Sequence, residues 1–174
     1  MERTAVLILD VQNALIQKHP YHPKKFLERM GALVDAARAN KIEVIYLQQT
    51  DKERPEGSEA WALAAPLSPL PEEKCFKKHF SSAFHESSLR EYLDSRDIRT
   101  LILAGLETEY SVDATCKVAY EYGFSVIIPA QGTTTFDTCF AQAKRTIAFY
   151  EEAIWAGRYA AVLPFKDVLK QMAH

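Results

Sequence analysis

TLILAGLETEYSVDATCKVAYEYGFSVII, residues 100–128, decides the fold. It opens on a continuous apolar run at 100–104 and passes into a helical pattern from about Thr108 to Tyr122. It stops at Gly123 and returns to an apolar run at 124–128. Val112, Thr115, Cys116 and Ala119 recur at helical spacing and mark one buried stripe. Apolar runs without polar alternation are strands covered on both faces, as parallel strands are. Parallel neighbours need a crossover, and the helix between these two runs supplies it.

The same alternation extends outward on both sides. Residues 4–9 and 42–47 read as further buried strands, joined by a helix that Pro23 opens at its first turn. Phe26, Met30, Leu33, Val34 and Ala37 form its buried stripe, and Asn40 suits its left-handed end. Ser87 or Ser88 caps a helix with Leu89, Tyr92 and Leu93 inward, and Ser88-x-x-Glu91 has capping-box spacing. Asp137 reads as the start of another helix. A last strand near 160–163 meets Pro164, which begins a C-terminal helix. The pattern predicts one domain over residues 1–174, a three-layer α/β/α fold with a mostly parallel sheet. Residues 49–84 break the pattern, with little periodicity and prolines at 55, 66, 69 and 71. A stretch that long in a compact domain is expected to be a functional loop.

Composition narrows the classes of function. The 174 residues suffice for one core, and 48% hydrophobic with 25% charged is the balance of a globular chain. A net charge of −2 with interspersed signs offers no basic stripe for a nucleic acid. Apolar runs such as 5–9 and 126–129 are too short to span a membrane. Met1-Glu2-Arg3 leads into the first strand, which leaves no room for a signal peptide. Cys75, Cys116 and Cys139 are odd in number and form no C-x-x-C pair, so they read as free thiols in the cytoplasm.

Open α/β sheets bind ligands outside the carboxyl ends of their strands. That rule singles out Asp10, after the first strand, and residues 105–111, after the strand at 100–104. Asp10 reads equally as a loop-orienting carboxylate or as a catalytic one. Ser111, in the first turn of a helix, reads as a cap, or as a nucleophile or oxyanion-site residue placed where unpaired N–H groups favour negative charge.

Four segments taken in order add to this. Leu7-Ile8-Leu9-Asp10-Val11-Gln12-Asn13, Lys78-His79-Phe80-Ser81-Ser82-Ala83-Phe84, the stretch Ala104-Gly105-Leu106-Glu107-Thr108-Glu109-Tyr110-Ser111-Val112-Asp113 and the turn at 132–137 resemble segments of the isochorismatase-like cysteine hydrolases. The resemblance implies a metal-free, Rossmann-type hydrolase of a small-molecule C–N or vinyl-ether bond, with a catalytically silent binding protein as the alternative. It implies Asp10 as general base or acid and Lys78 as its cationic partner. Ser111 stands where the family's T-E-Y-C-V-D segment has its nucleophilic cysteine. Lys77 is adjacent, but only Lys78 stands four residues before Ser82, as the family's K-x-x-x-S-A-F segment requires. The family's cis peptide falls between Leu106 and Glu107 and directs the N–H groups of Glu107 and Ser111 at a substrate oxyanion. Gln12, Trp61, Phe84 and Tyr110 are pocket candidates on the same basis, Trp61 reading equally as a side chain that pins the loop.

The departures are Ser111 itself, Gln131 where an aspartate is usual, and residues 150–155, which lack the family's histidine-asparagine pair. Cys116 cannot replace the missing thiol, because five residues along a helix turn it about 140° away from Ser111. The nicotinamidases of this family bind zinc through histidines after the second strand, where this chain has Gln49-Thr50-Asp51-Lys52-Glu53. His19 and His22 read as loop residues. No metal or cofactor is expected. A homo-oligomer is expected from the family habit and from Phe149, Tyr150, Trp155 and Tyr159.

Overall fold

The computed structural model describes residues 3–173. Met1 and Glu2, on which the signal-peptide reading partly rests, lie outside the described residues. The strands are β1 (Thr4–Leu9), β2 (Glu43–Gln49), β3 (Lys74–Lys78), β4 (Thr100–Leu106), β5 (Ser125–Pro129), β6 (Thr133–Thr134) and β7 (Ala161–Leu163). They form one sheet in the order β3-β2-β1-β4-β5-β7, with the short β6 beside β4. Every pairing is parallel. The helices are α1 (Asn13–Ile16), α2 (Pro23–Ala39), α3 (Leu89–Ser95), α4 (Asp113–Glu121), α5 (Ala143–Phe149) and α6 (Phe165–Met172). π-Helical turns precede α4 at Thr108–Val112 and follow α5 at Tyr150–Trp155.

Strand alternation sorts the core into two layers. Ala5, Leu7 and Leu9 of β1 face the α3 and α4 side with Cys116, Ala119 and Trp155. Val6 and Ile8 face the opposite side with Phe26, Met30 and Leu33 of α2 and Val168 of α6. That two-sided cover is why the central runs lack polar alternation, and it confirms the α/β reading. Among the described residues no helix is long and apolar enough to cross a membrane.

Several local expectations are corrected. Residues 49–84 contain β3, whose exposed Lys74, Cys75 and Lys77 hide it from an apolar-run search. It is an edge strand, and charges blunt the unpaired edge. Asp137 does not start a helix; its Oδ1 accepts the N–H of Ala143 at 2.7 Å and so caps α5 from outside. Asn40 is not left-handed, with φ −105°; Lys41 takes that role at φ 55°. Ser88 makes no side-chain cap. Ser87 does the work, accepting from the N–H of Leu89 at 3.4 Å and donating to the carbonyl of Ala83 at 2.6 Å. Pro164 precedes α6 rather than beginning it. Of the four aromatics read as an interface, Trp155 is fully buried and gives its indole N–H to Asp113 at 2.9 Å, while Phe149 is exposed.

Gly105 is required where β1 and β4 meet. It sits opposite Leu9 at φ 140°, and a Cβ there would stand 2.1 Å from the Leu9 carbonyl oxygen. This close approach brings the chain after β1 and the chain after β4 side by side at the carboxyl edge.

Candidate active site

Three separate elements deliver Asp10, Lys78 and Ser111 to that edge. Asp10 leaves β1 in a left-handed conformation, φ 52°, and its N–H still bonds to Leu47 of β2. Lys78 is the last residue of β3, and alternation along the strand turns it inward. Its neighbour Lys77 points out and pairs with Glu56 at 2.9 Å. Ser111 lies in the π-helical turn after β4. The exposures of Asp10, Lys78 and Ser111 are 2%, 1% and 7%.

Lys78 Nζ stands 2.7 Å from Asp10 Oδ2 and 2.9 Å from Ser111 Oγ. Ser111 Oγ is 2.5 Å from Asp10 Oδ2. An ammonium can only donate, so the hydroxyl accepts from Lys78 and turns its own proton to Asp10. Lys78 has further acceptors in Gln49 Oε1 at 2.8 Å and the carbonyls of Phe80 at 3.1 Å and Ser81 at 3.4 Å. Asp10 Oδ1 accepts the N–H of Gln49 at 3.1 Å. Burial pulls the Lys78 pKa below the ordinary lysine range, and the Asp10 carboxylate opposes that pull. Cys116 lies in the core away from this triad, its thiol pushed up to about 12 by burial.

Asp10 and Ser111 open on a pocket of about 380 Å³ lined also by Leu15, Gln49, Arg54, His79, Phe80, Ser81, Leu106, Glu107 and Tyr110, with Lys78 held beneath them outside the lining. The peptide bond between Leu106 and Glu107 is cis. In the turn that follows, the N–H groups of Tyr110 and Val112 both donate to the Glu107 carbonyl. Burial, then the neighbouring Glu109 carboxylate, raise the Glu107 pKa.

Leu106, Glu107 and Tyr110 therefore line the pocket, while three other candidates do not. Gln12 is fully buried and clamps the site from behind, exchanging hydrogen bonds with the N–H and carbonyl of Gln49 at 3.0 Å and donating to the Trp61 carbonyl at 2.8 Å. Trp61 pins the long loop through its indole N–H on Thr50 Oγ1 at 3.0 Å. Phe84 packs in the core on Phe124. Gln49 was missed, although it ends a strand and the rule that selected Asp10 applies to it equally. Arg54 and His79 sit in aperiodic chain and carry no comparable signal. Among the described residues no group of three His, Cys, Asp or Glu side chains could hold a metal ion.

The isochorismatase domain model matches residues 4–150, most of the chain. The chain belongs to the isochorismatase family. An uncharacterized isochorismatase family protein of Bacillus subtilis, YrdC, is 28% identical over 142 residues, covering 78% of this chain and 75% of that protein. Streptothricin hydrolase of Streptomyces noursei is 29% identical over 141 residues, covering 76% of this chain. The match spans only 50% of that hydrolase. Ureidoacrylate amidohydrolase RutB of Azorhizobium caulinodans is 24% identical over 99% of this chain and 92% of its own. Among solved structures, an isochorismatase family protein superposes with a TM-score of 0.89 at 28% identity, covering 94% of this chain and 99% of that one. A cysteine hydrolase from Pseudomonas syringae shares the fold, with a TM-score of 0.90 at 20% identity, over 98% and 92% of the two chains.

Gln131 and residues 150–155, expected from the resemblance to depart from the family, lie outside the lining of this pocket. Gln131 accepts from Arg29 Nη2 at 2.5 Å through its side-chain oxygen. The turn at Tyr150–Trp155 is used for packing, with Tyr150 and Trp155 ring centroids 5.4 Å apart.

Proposed function

We propose that the chain is a hydrolase of a small-molecule C–N bond, an amide or ureide, in which Ser111 is the nucleophile and Asp10 its base. The hydrogen bond from the Ser111 hydroxyl to Asp10 Oδ2, 2.5 Å long, carries this reading. In it, Ser111 Oγ attacks the carbonyl carbon as its proton passes to Asp10. The N–H groups of Glu107 and Ser111 take the oxyanion. Collapse breaks the C–N bond, and the departing nitrogen receives the proton from Asp10. Water then attacks the acyl-serine, gives a proton to Asp10, and the serine leaves with it. Lys78 stays cationic and balances the negative charge that moves between Asp10 and the reacting oxygens.

The vinyl-ether reaction would use Asp10 as an acid. That requires a resting proton on Asp10, whose Oδ2 faces the Ser111 hydroxyl and the Lys78 ammonium and whose Oδ1 accepts the Gln49 N–H, so the C–N reading is favoured. The three free cysteines support a cytoplasmic assignment. Exposed Tyr110, Phe140 and Phe149, grouped in one shallow groove, support a homo-oligomer.

The test is a panel of simple amides, ureides and isochorismate, with ammonia or amine release and vinyl-ether cleavage read separately. Turnover of an amide or ureide, unchanged by EDTA, is expected. Cleavage of isochorismate alone would replace the C–N reading. Binding without turnover across the panel would favour the silent alternative.

A further inference from the structure

The charges around the pocket cancel, with one exception among its lining residues. Asp10 and Lys78 neutralise each other at 2.7 Å. Arg54 is held by Asp51 Oδ2 through contacts of 2.5 and 3.2 Å. Lys18, which also acts on the pocket wall, is paired with Glu53 at 2.9 Å. Glu107 lines the pocket half-buried and makes no side-chain hydrogen bond or ion pair among the described residues. Behind it, Glu109 adds a second carboxylate, whose Oε1 accepts from Thr135 at 2.8 Å and whose Oε2 is buried without a partner.

We propose that Glu107 is a specificity-determining residue that selects a substrate bearing an ammonium, a guanidinium or unsubstituted N–H groups and rejects anionic ones. The proposal rests on the pocket being the substrate site. A carboxylate left half-buried without donors is costly, and a ligand that supplies them relieves that cost. A substrate carboxylate or phosphate in the same place meets like charge in a poorly solvated cleft. Burial and Glu109 raise the Glu107 pKa, Asp10 adds to the rise, and Arg54 and Lys18 oppose it. His79 shares the pocket, its Nδ1 3.2 Å from the Thr50 carbonyl. Selection is therefore strongest above the raised carboxyl pKa and weakens as pH falls through it.

The test needs no substrate. A thiol introduced by Ser111→Cys is treated with two methanethiosulfonates, one carrying a trimethylammonium-ethyl group and the other a sulfonatoethyl group. Labelling is mapped by peptide mass, with exposed Cys139 as internal reference. Taking the ratio of two reagents on one thiol removes the effect of its own ionisation. At pH 8.5 the cationic-to-anionic rate ratio should exceed that of Cys139 by about tenfold or more, and Glu107→Gln should remove most of the excess. A ratio equal to that of Cys139, or one unchanged by Glu107→Gln, would overturn the proposal. So would a thiol that neither reagent reaches. Because no turnover is involved, an inactive panel and an absent charge preference are separate failures.

Discussion

Ser111→Ala should reduce turnover of the amide or ureide substrate by about a thousandfold or more while the protein stays folded. The fold survives because the change removes one oxygen from a site that keeps its other partners. Lys78 retains Asp10, Gln49 and the carbonyls of Phe80 and Ser81, and Asp10 retains Lys78 and the N–H of Gln49. The chemistry does not survive, since among the described residues no other hydroxyl or thiol is hydrogen-bonded to Asp10. Cys116 is in the core, and Cys75 and Cys139 are exposed elsewhere. Steady-state kinetics beside a circular-dichroism melt separates the two effects. If Asp10 instead acted as an acid on a vinyl ether, Ser111→Ala would leave most of the activity in place.

The second large effect is on stability. Lys78→Met should cost about 3–5 kcal/mol, because it strands the Asp10 carboxylate in a site that is 2% exposed. That is a large share of the roughly 5–15 kcal/mol that holds a domain folded. The loss comes from Asp10 rather than from the lysine, whose own ammonium is disfavoured by burial. Adding Asp10→Asn to Lys78→Met should therefore restore part of the stability, and urea unfolding of both singles and the double measures the coupling. A double variant less stable than Lys78→Met by the full cost of Asp10→Asn would show that the two groups do not interact. The sign of the pH dependence follows from the same shift. Between the lowered pKa of Lys78 and the ordinary value of 10.5 the unfolded chain binds more protons, so this residue makes stability rise with pH in that window. Lys78→Met should remove that slope.

The central strands were legible because burial on both faces leaves an unbroken apolar run, as in Leu101, Ile102 and Leu103. β3 was not, because an edge strand ending in Lys77 and Lys78 has the composition of a loop. Asp137 was misplaced for a related reason: a carboxylate that caps a helix six residues on looks, in sequence, like one that caps its own. At the site, the strand-end rule points to Asp10 and Ser111 but leaves each open to a capping or loop-orienting role, and only the family resemblance adds Lys78 and a catalytic reading of all three. The roles of Gln12 and Trp61 depend on how the loop at 49–84 folds back, through contacts 37 and 49 residues apart along the chain. No periodicity encodes such contacts. The sequence marks Glu107 only through its backbone N–H, because the lack of a partner for its side chain depends on Arg54 and Lys18 being paired elsewhere.

The claim that Ser111 is the nucleophile is tested most directly by mixing the protein with p-nitrophenyl acetate, following the burst of nitrophenol, and mapping the acetyl group in acid-quenched samples. A serine nucleophile gives a burst of about one equivalent per chain with the acetyl group on Ser111, and no burst from Ser111→Ala. A burst that persists in Ser111→Ala, or a quenched protein with no acetyl group on Ser111, would contradict it.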